Sequence, residues 1–172
     1  VKYIRTGVQK SFTGLFEPDK ETKVSADLQG KIVSVFVDAG SYVKKGQSLI
    51  KIDDALLNLQ LQSVSIQIEG LETDVKRYLI LAESDAIQGV QLEKTQLALK
   101  SAQVQRSTLL EQISRTIVAA PFNGIVTLKL TEVGSYAAPG VPLLQLTDIS
   151  SLRFTIQVSE NDLAIFHNNQ AV

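Results

Sequence analysis

VSADLQGKIVSVFVDAGSYVKKGQSLIKIDD, residues 24–54, decides how this chain folds, because it returns without gaps as VAAPFNGIVTLKLTEVGSYAAPGVPLLQLTD at residues 118–148. Ala26 aligns with Ala120, Gly30 with Gly124, Gly40-Ser41-Tyr42 with Gly134-Ser135-Tyr136, Gly46 with Gly140, Leu49 with Leu143 and Asp54 with Asp148. A repeat of this kind is read before any local pattern, since missing it misassigns the architecture. In each copy the glycines fall between short runs rich in Val, Ile, Phe and Thr, as turns between β-strands require. Gly30, Gly40, Gly46, Gly124, Gly134 and Gly140 are therefore expected at structural turns, with residues 31–37 and 125–131 as the clearest strands. A unit of about 30 residues with three or four short strands buries too little alone. Two copies packed as a small sandwich with approximate two-fold symmetry are the expectation.

Between the copies the apolar period changes. Leu57, Leu61, Val64, Ile68, Leu71, Val75, Tyr78 and Ala82 alternate spacings of four and three, the seam of paired helices. Leu92, Thr95, Leu99, Ala102, Leu109 and Ile113 continue it over residues 86–116, interrupted by Arg106 where the seam wants an apolar residue. Residues 55–117 contain no proline, and their other positions are dominated by Gln, Ser, Glu, Lys and Arg. Both features suit long helices. The break at Glu83-Ser84-Asp85 suits a reversal, Asp85 and Gln88 have the spacing of a capping box, and Asp54 falls where the first helix needs its N-cap. The fold class read from the residues is thus mainly β with a long α-helical hairpin. The flanks, residues 1–23 and 150–172, read as further short strands of another β-module.

The chain has 172 residues, 44% hydrophobic and 20% charged, with a formal charge of −1. That balance marks a folded protein and supplies no basic face for nucleic acid. Without cysteine there is no disulfide, thiolate metal site or cysteine nucleophile. His167 is the only histidine and is read as a surface residue, so neither a metal nor a catalytic dyad is expected. No Gly-rich phosphate loop or nucleophile elbow occurs, and no catalytic residue is assigned. No stretch approaches a membrane span and no secretory leader opens the chain. With no methionine and a start at Val1-Lys2-Tyr3, the sequence is expected to be processed or cut from a longer one, with any anchor outside it.

The order half-motif, helical hairpin, half-motif, together with APFNGIV at residues 120–126, resembles the periplasmic adaptors, or membrane fusion proteins, of tripartite efflux pumps. The adaptors of resistance–nodulation–division pumps are the most similar branch. The resemblance implies a lipoyl-like β-sandwich split by an antiparallel coiled-coil hairpin, plus part of a β-barrel domain. The divisions are 1–23 (barrel), 24–54 (half-motif), 55–117 (hairpin, tip about 83–87), 118–149 (half-motif) and 150–172 (barrel). It also implies a periplasmic location anchored at the inner membrane, an inner-membrane transporter and a TolC-like outer-membrane channel as partners, and self-association into a trimeric or hexameric ring. No cofactor is implied.

At the tip, Arg77 and Leu81 match the family's channel-contacting Arg and Leu, while Gln88 stands where the family has Ser; Asp85 completes the expected contact set. The lack of thioether ligands argues against the heavy-metal branch. Two other readings remain, an adaptor for an ABC-type exporter or type I secretion system, and a lipoyl or biotinyl carrier. The carrier would modify a lysine at the joint between half-motifs. Here that joint holds the hairpin, and Lys44-Lys45 lie inside the first copy.

Overall fold

The computed structural model describes residues 13–83 and 89–158. β1 (Gly14–Ser25) runs from the N-terminal flank into the first copy, which then holds β2 (Gly30–Val35), β3 (Tyr42–Val43) and β4 (Ser48–Ile52). Helices α1 (Ala55–Glu83) and α2 (Gly89–Ser114) follow, then β5 (Ile117–Ala119), β6 (Gly124–Lys129), β7 (Tyr136–Ala137) and β8 (Pro142–Ile156).

The copies do more than pack face to face. One sheet runs β1-β8-β6-β3 and the other β5-β4-β2-β7, so each draws strands from both copies. Under the repeat the two orders are images of one another. β3 pairs with β6 through Tyr42↔Ile125 and Val43↔Gly124, and β7 pairs with β2 through Lys31↔Tyr136 and Gly30↔Ala137. Loop amides lock the exchange reciprocally. Gly40 N donates to Val126 O at 2.8 Å and Gly134 N to Ile32 O at 2.9 Å, while Val126 N reaches Ser41 O and Ile32 N reaches Ser135 O.

Burial repeats in the same way. Val24 and Val118, Ala26 and Ala120, Ile32 and Val126, Val43 and Ala137, Leu49 and Leu143, Ile50 and Leu144, and Ile52 and Leu146 form one core. Val37 is matched by Thr131, also buried. Lys129 adds a cross-copy ion pair to Asp38 at 2.7 Å, and hydrogen bonds from its ammonium to Asp38 and then Glu132 hold it above the usual lysine range.

Four of the expected turn glycines have φ between 79° and 92°: Gly40, Gly46, Gly134 and Gly140. In that region any other residue meets its own carbonyl. Gly30 and Gly124 correct the reading. They open strands β2 and β6, and their lack of a side chain permits close approach: a Cβ at Gly124 would lie 2.4 Å from Thr147 O, and one at Gly30 2.6 Å from Ile52 Cγ2.

At the joint between copies, β4 and β5 are sheet neighbours, with Ile50↔Val118 and Lys51↔Ile117 paired. The hairpin therefore leaves and re-enters at adjacent points, and Ile52 N donates to Thr116 O at 2.9 Å between its two feet. Asp54 takes the expected N-cap position, its carbonyl accepting from Asn58 N at 2.9 Å, but its carboxylate turns to Lys51 at 3.3 Å, and the side chain that caps is that of Asp53, whose Oδ1 accepts from Ala55 N at 3.0 Å.

The repeat makes β1 and β8 the counterparts of β5 and β4, and this pair continues past the sandwich as a two-stranded ribbon, Gly14↔Ile156 to Pro18↔Leu152. Strands β1 and β8 thus run unbroken through 23/24 and 149/150, where the sequence suggested module boundaries. On the ribbon the Phe16 and Phe154 rings meet with centroids 4.7 Å apart and planes tilted by 40°, both exposed. Where it begins, hydrogen bonds from the Ser150 hydroxyl and amide hold the Asp148 carboxyl below its usual range.

Two outcomes are expected. Gly124→Ala forces β6 off β8 and costs about 2–3 kcal/mol, a fall of roughly 5–10 °C in Tm; an unchanged melt would show that the sheet has room the structure does not show. Asp148→Asn is less stable than the native protein at neutral pH. Because the native carboxyl is depressed, that gap closes as pH falls below the ordinary carboxylate range, as paired denaturant melts at pH 7 and pH 3 would register.

Candidate docking hairpin

Both helices are longer than the roughly 12–15 residues at which an isolated helix becomes marginal, yet tertiary packing still has to hold them. It does so along one seam. On α1, Leu57, Leu61, Val64, Ile68, Leu71, Val75 and Tyr78 are each buried or half-buried, and on α2 so are Leu92, Thr95, Leu99, Ala102, Leu109 and Ile113. Arg106 is exposed, and it breaks the seam at the one place the sequence marks. At the foot of α2, Thr116 is buried and donates its hydroxyl to Ile113 O at 2.7 Å.

Towards the tip, Arg77 and Leu81 stand one turn apart on one side of α1. Arg77 is exposed and reaches Asp74 at 3.4 Å, a surface pair that leaves its guanidinium accessible. Leu81 is half-buried. Asp85 and Gln88, the other expected tip residues, lie outside the described residues, as does His167.

The seam reading passed over a second set of apolar side chains. Leu59, Ile66 and Ile80 on α1, and Val90, Leu97 and Val104 on α2, are 56–69% exposed. Their seven-residue spacing was the signal that could have found them.

Lys44 and Lys45 fall in the β3–β4 turn, where the Lys45 amide donates to Asn123 Oδ1 at 2.7 Å, and not at the joint between copies. Among the described residues the buried polar side chains are the threonines Thr95, Thr116, Thr131 and Thr147, so no charge is buried. No described group of three or more His, Asp or Glu side chains is placed to hold a metal ion. No described helix is long and apolar enough to cross a membrane.

A sandwich locked by exchange and projecting an uncovered helix pair from its central joint has the build of an adaptor, which works through contact surfaces. The chain belongs to the RND membrane fusion proteins, the adaptors of efflux systems: the model of their barrel-sandwich hybrid domain matches residues 20–148. It is 29% identical over 160 residues to an uncharacterized protein of Haemophilus influenzae, covering 93% of this chain and 42% of that one. It is 26% identical over 167 residues to the multidrug resistance protein MdtA of Xenorhabdus bovienii, covering 88% and 40%. The chain thus spans about two fifths of the length of these relatives. The same fold is seen in a MacA-MexA chimeric protein carrying the Pseudomonas aeruginosa MexA α-hairpin, with a TM-score of 0.76 and 24% identity over 89% of this chain and 55% of that one.

Arg106→Leu completes the seam and is expected to stabilise the chain by about 1 kcal/mol, less than full burial of a leucine provides. Thermal melting followed by helical circular dichroism should move up by roughly 2–4 °C; a fall would place Arg106 in a contact that the seam does not describe.

Proposed function

We propose that this chain is the central part of a periplasmic adaptor of a tripartite multidrug efflux system. It links an inner-membrane pump of the resistance–nodulation–division type to a TolC-like outer-membrane channel. The observation that carries the reading is the hairpin's placement: two helices of 29 and 26 residues rise from neighbouring strands of one locked sandwich. At about 1.5 Å per residue they extend roughly 40 Å. A projection of that length with accessible Arg77 near its end is suited to reach a partner beyond the sandwich. The ribbon of β1 and β8 leaves by the strand pair that the two-fold relates to the hairpin's, and its exposed Phe16 and Phe154 suit burial in the barrel module that such adaptors carry.

In this reading the tip, with Arg77, Leu81, Asp85 and Gln88, engages the channel through interlocking helices, the sandwich and barrel stack against the pump and neighbouring adaptors in a ring, and the cargo is chosen by the pump. The assignment rests on packing and involves no bond chemistry.

Single cysteines in the full-length protein provide the test, with no native cysteine in this chain to add background. Arg77→Cys, Leu81→Cys and Gln88→Cys should crosslink to the channel in cells that contain all three components, and Lys31→Cys, exposed on the sandwich, should not. Crosslinking from Lys31→Cys alone would reverse the hairpin's direction, and none from any tip position would sink the channel contact.

A further inference from the structure

We infer that the cleft where the β1–β8 ribbon leaves the sandwich is a binding site for an aromatic monoanion, its charge met by Lys20 and Lys45 and its rings by Tyr42 and Phe122. The inference does not rest on the adaptor reading.

The cleft has a volume of about 710 Å³, within the range of sites that take drug-sized molecules. Strand order explains how its walls come together. Lys20 on β1 is the register partner of Asp148 on β8, β6 opens at Gly124 on the other side of β8, and Tyr42 stands on β3 beyond β6. The turn before β6 adds Phe122 and Asn123, and the β3–β4 turn adds Lys45. These two turns are tied to each other, since the Lys45 amide donates to Asn123 Oδ1 at 2.7 Å. The wall that carries the second lysine is thus fixed before a ligand arrives, which spares it the cost of ordering.

Charge sets the class of ligand. Lys20 and Lys45 are both exposed, and neither makes an ion pair among the described residues. Asp148 is the one acid in the lining, and it already accepts from the Ser150 hydroxyl and amide. Two ammonium groups against one carboxylate leave a single positive charge, which suits a monoanion. The apolar part of the lining is aromatic. Phe122 is half-buried against the sandwich core, so its ring is held, and the Tyr42 ring is 60% exposed. Held rings of this kind favour stacking or edge contact with another ring.

The repeat supplies an internal comparison. Gly124, Asp148 and Tyr42 have the same residue types at their counterparts Gly30, Asp54 and Tyr136, as the shared fold requires. Phe122, Lys45 and Lys20 do not: Leu28, Pro139 and Ser114 stand in their places. At the hairpin end Leu28 lines a cleft of about 330 Å³ with Leu56, Leu57 and Gln112, and no cation lines it. One end of the sandwich therefore folds without this ring and these two cations. Their presence at the ribbon end serves something other than the fold.

The test uses the full-length protein and two probes with the same rings, 8-anilinonaphthalene-1-sulfonate and its neutral counterpart N-phenyl-1-naphthylamine. In fluorescence titrations at low salt the sulfonate should bind saturably and at least about threefold more tightly than the neutral probe. Lys20→Gln and Lys45→Gln should each weaken sulfonate binding about threefold and leave the neutral probe unchanged. Phe122→Leu, which installs the residue found at the other end, should weaken both probes. On adding the sulfonate, amide hydrogen exchange should slow at residues 122–124 and 148–150. Equal affinity for the two probes, lysine variants that bind like the native protein, or protection confined to the hairpin would each overturn the site. Failure of the full-length protein to bind the sulfonate would overturn it as well.

Discussion

Everything in this molecule depends on the reciprocal clasp between the two copies of its repeat. Gly40 N to Val126 O and Gly134 N to Ile32 O are the same bond drawn twice, once in each direction. Each lies in the turn just before a two-residue strand, β3 or β7, that has been given to the other copy's sheet. A strand of that length has no stability of its own. Its backbone groups are satisfied only when both copies are folded, so half of the sandwich is not a stable intermediate and the module forms as one unit.

That clasp also settles where long elements can be attached. The exchange leaves β4 beside β5 and β1 beside β8 as strand pairs related by the two-fold. At one pair the chain continues as two helices, at the other as a two-stranded ribbon. Because both strands of each pair are pinned in a sheet, an extension closes its own loop at little entropic cost and leaves the core undisturbed. Divergence is therefore concentrated at the exits. The core positions of the two copies remain buried partners, with Val37 and Thr131 the one exchange of an apolar for a polar residue.

The hairpin is built on a different principle. Its seam packs the two helices on each other, while Leu59, Ile66, Ile80, Val90, Leu97 and Val104 stay exposed among the described residues. Leaving Leu59, Ile66, Leu97 and Val104 in water and placing Gly70 in mid-helix both lower the stability of the isolated chain. These local losses contrast with the sandwich, where no buried polar side-chain atom among the described residues lacks a hydrogen bond.

Periodicity is a local property of the chain, so the sequence by itself determined the repeat, the strands at β2 and β6, the hairpin and its seam, and even the exposed break at Arg106. Membership of the adaptor family was legible for the same reason, since two half-motifs around a helical insertion are a one-dimensional pattern. Which strand pairs with which is not such a pattern. β3 and β7 cross into the opposite sheets because each copy's core face is completed only by the other, and that choice is made by packing between residues far apart in sequence. The same contacts decided that Gly30 and Gly124 serve close approach and not turning, because the need for a missing Cβ arises only when Ile52 or Thr147 arrives from another strand. Asp54 keeps the N-cap position that the pattern marks, but the capping side chain is Asp53's for a related reason: pinning β4 in the sheet sets Asp53 Oδ1 within reach of the Ala55 amide and leaves the Asp54 carboxylate to Lys51.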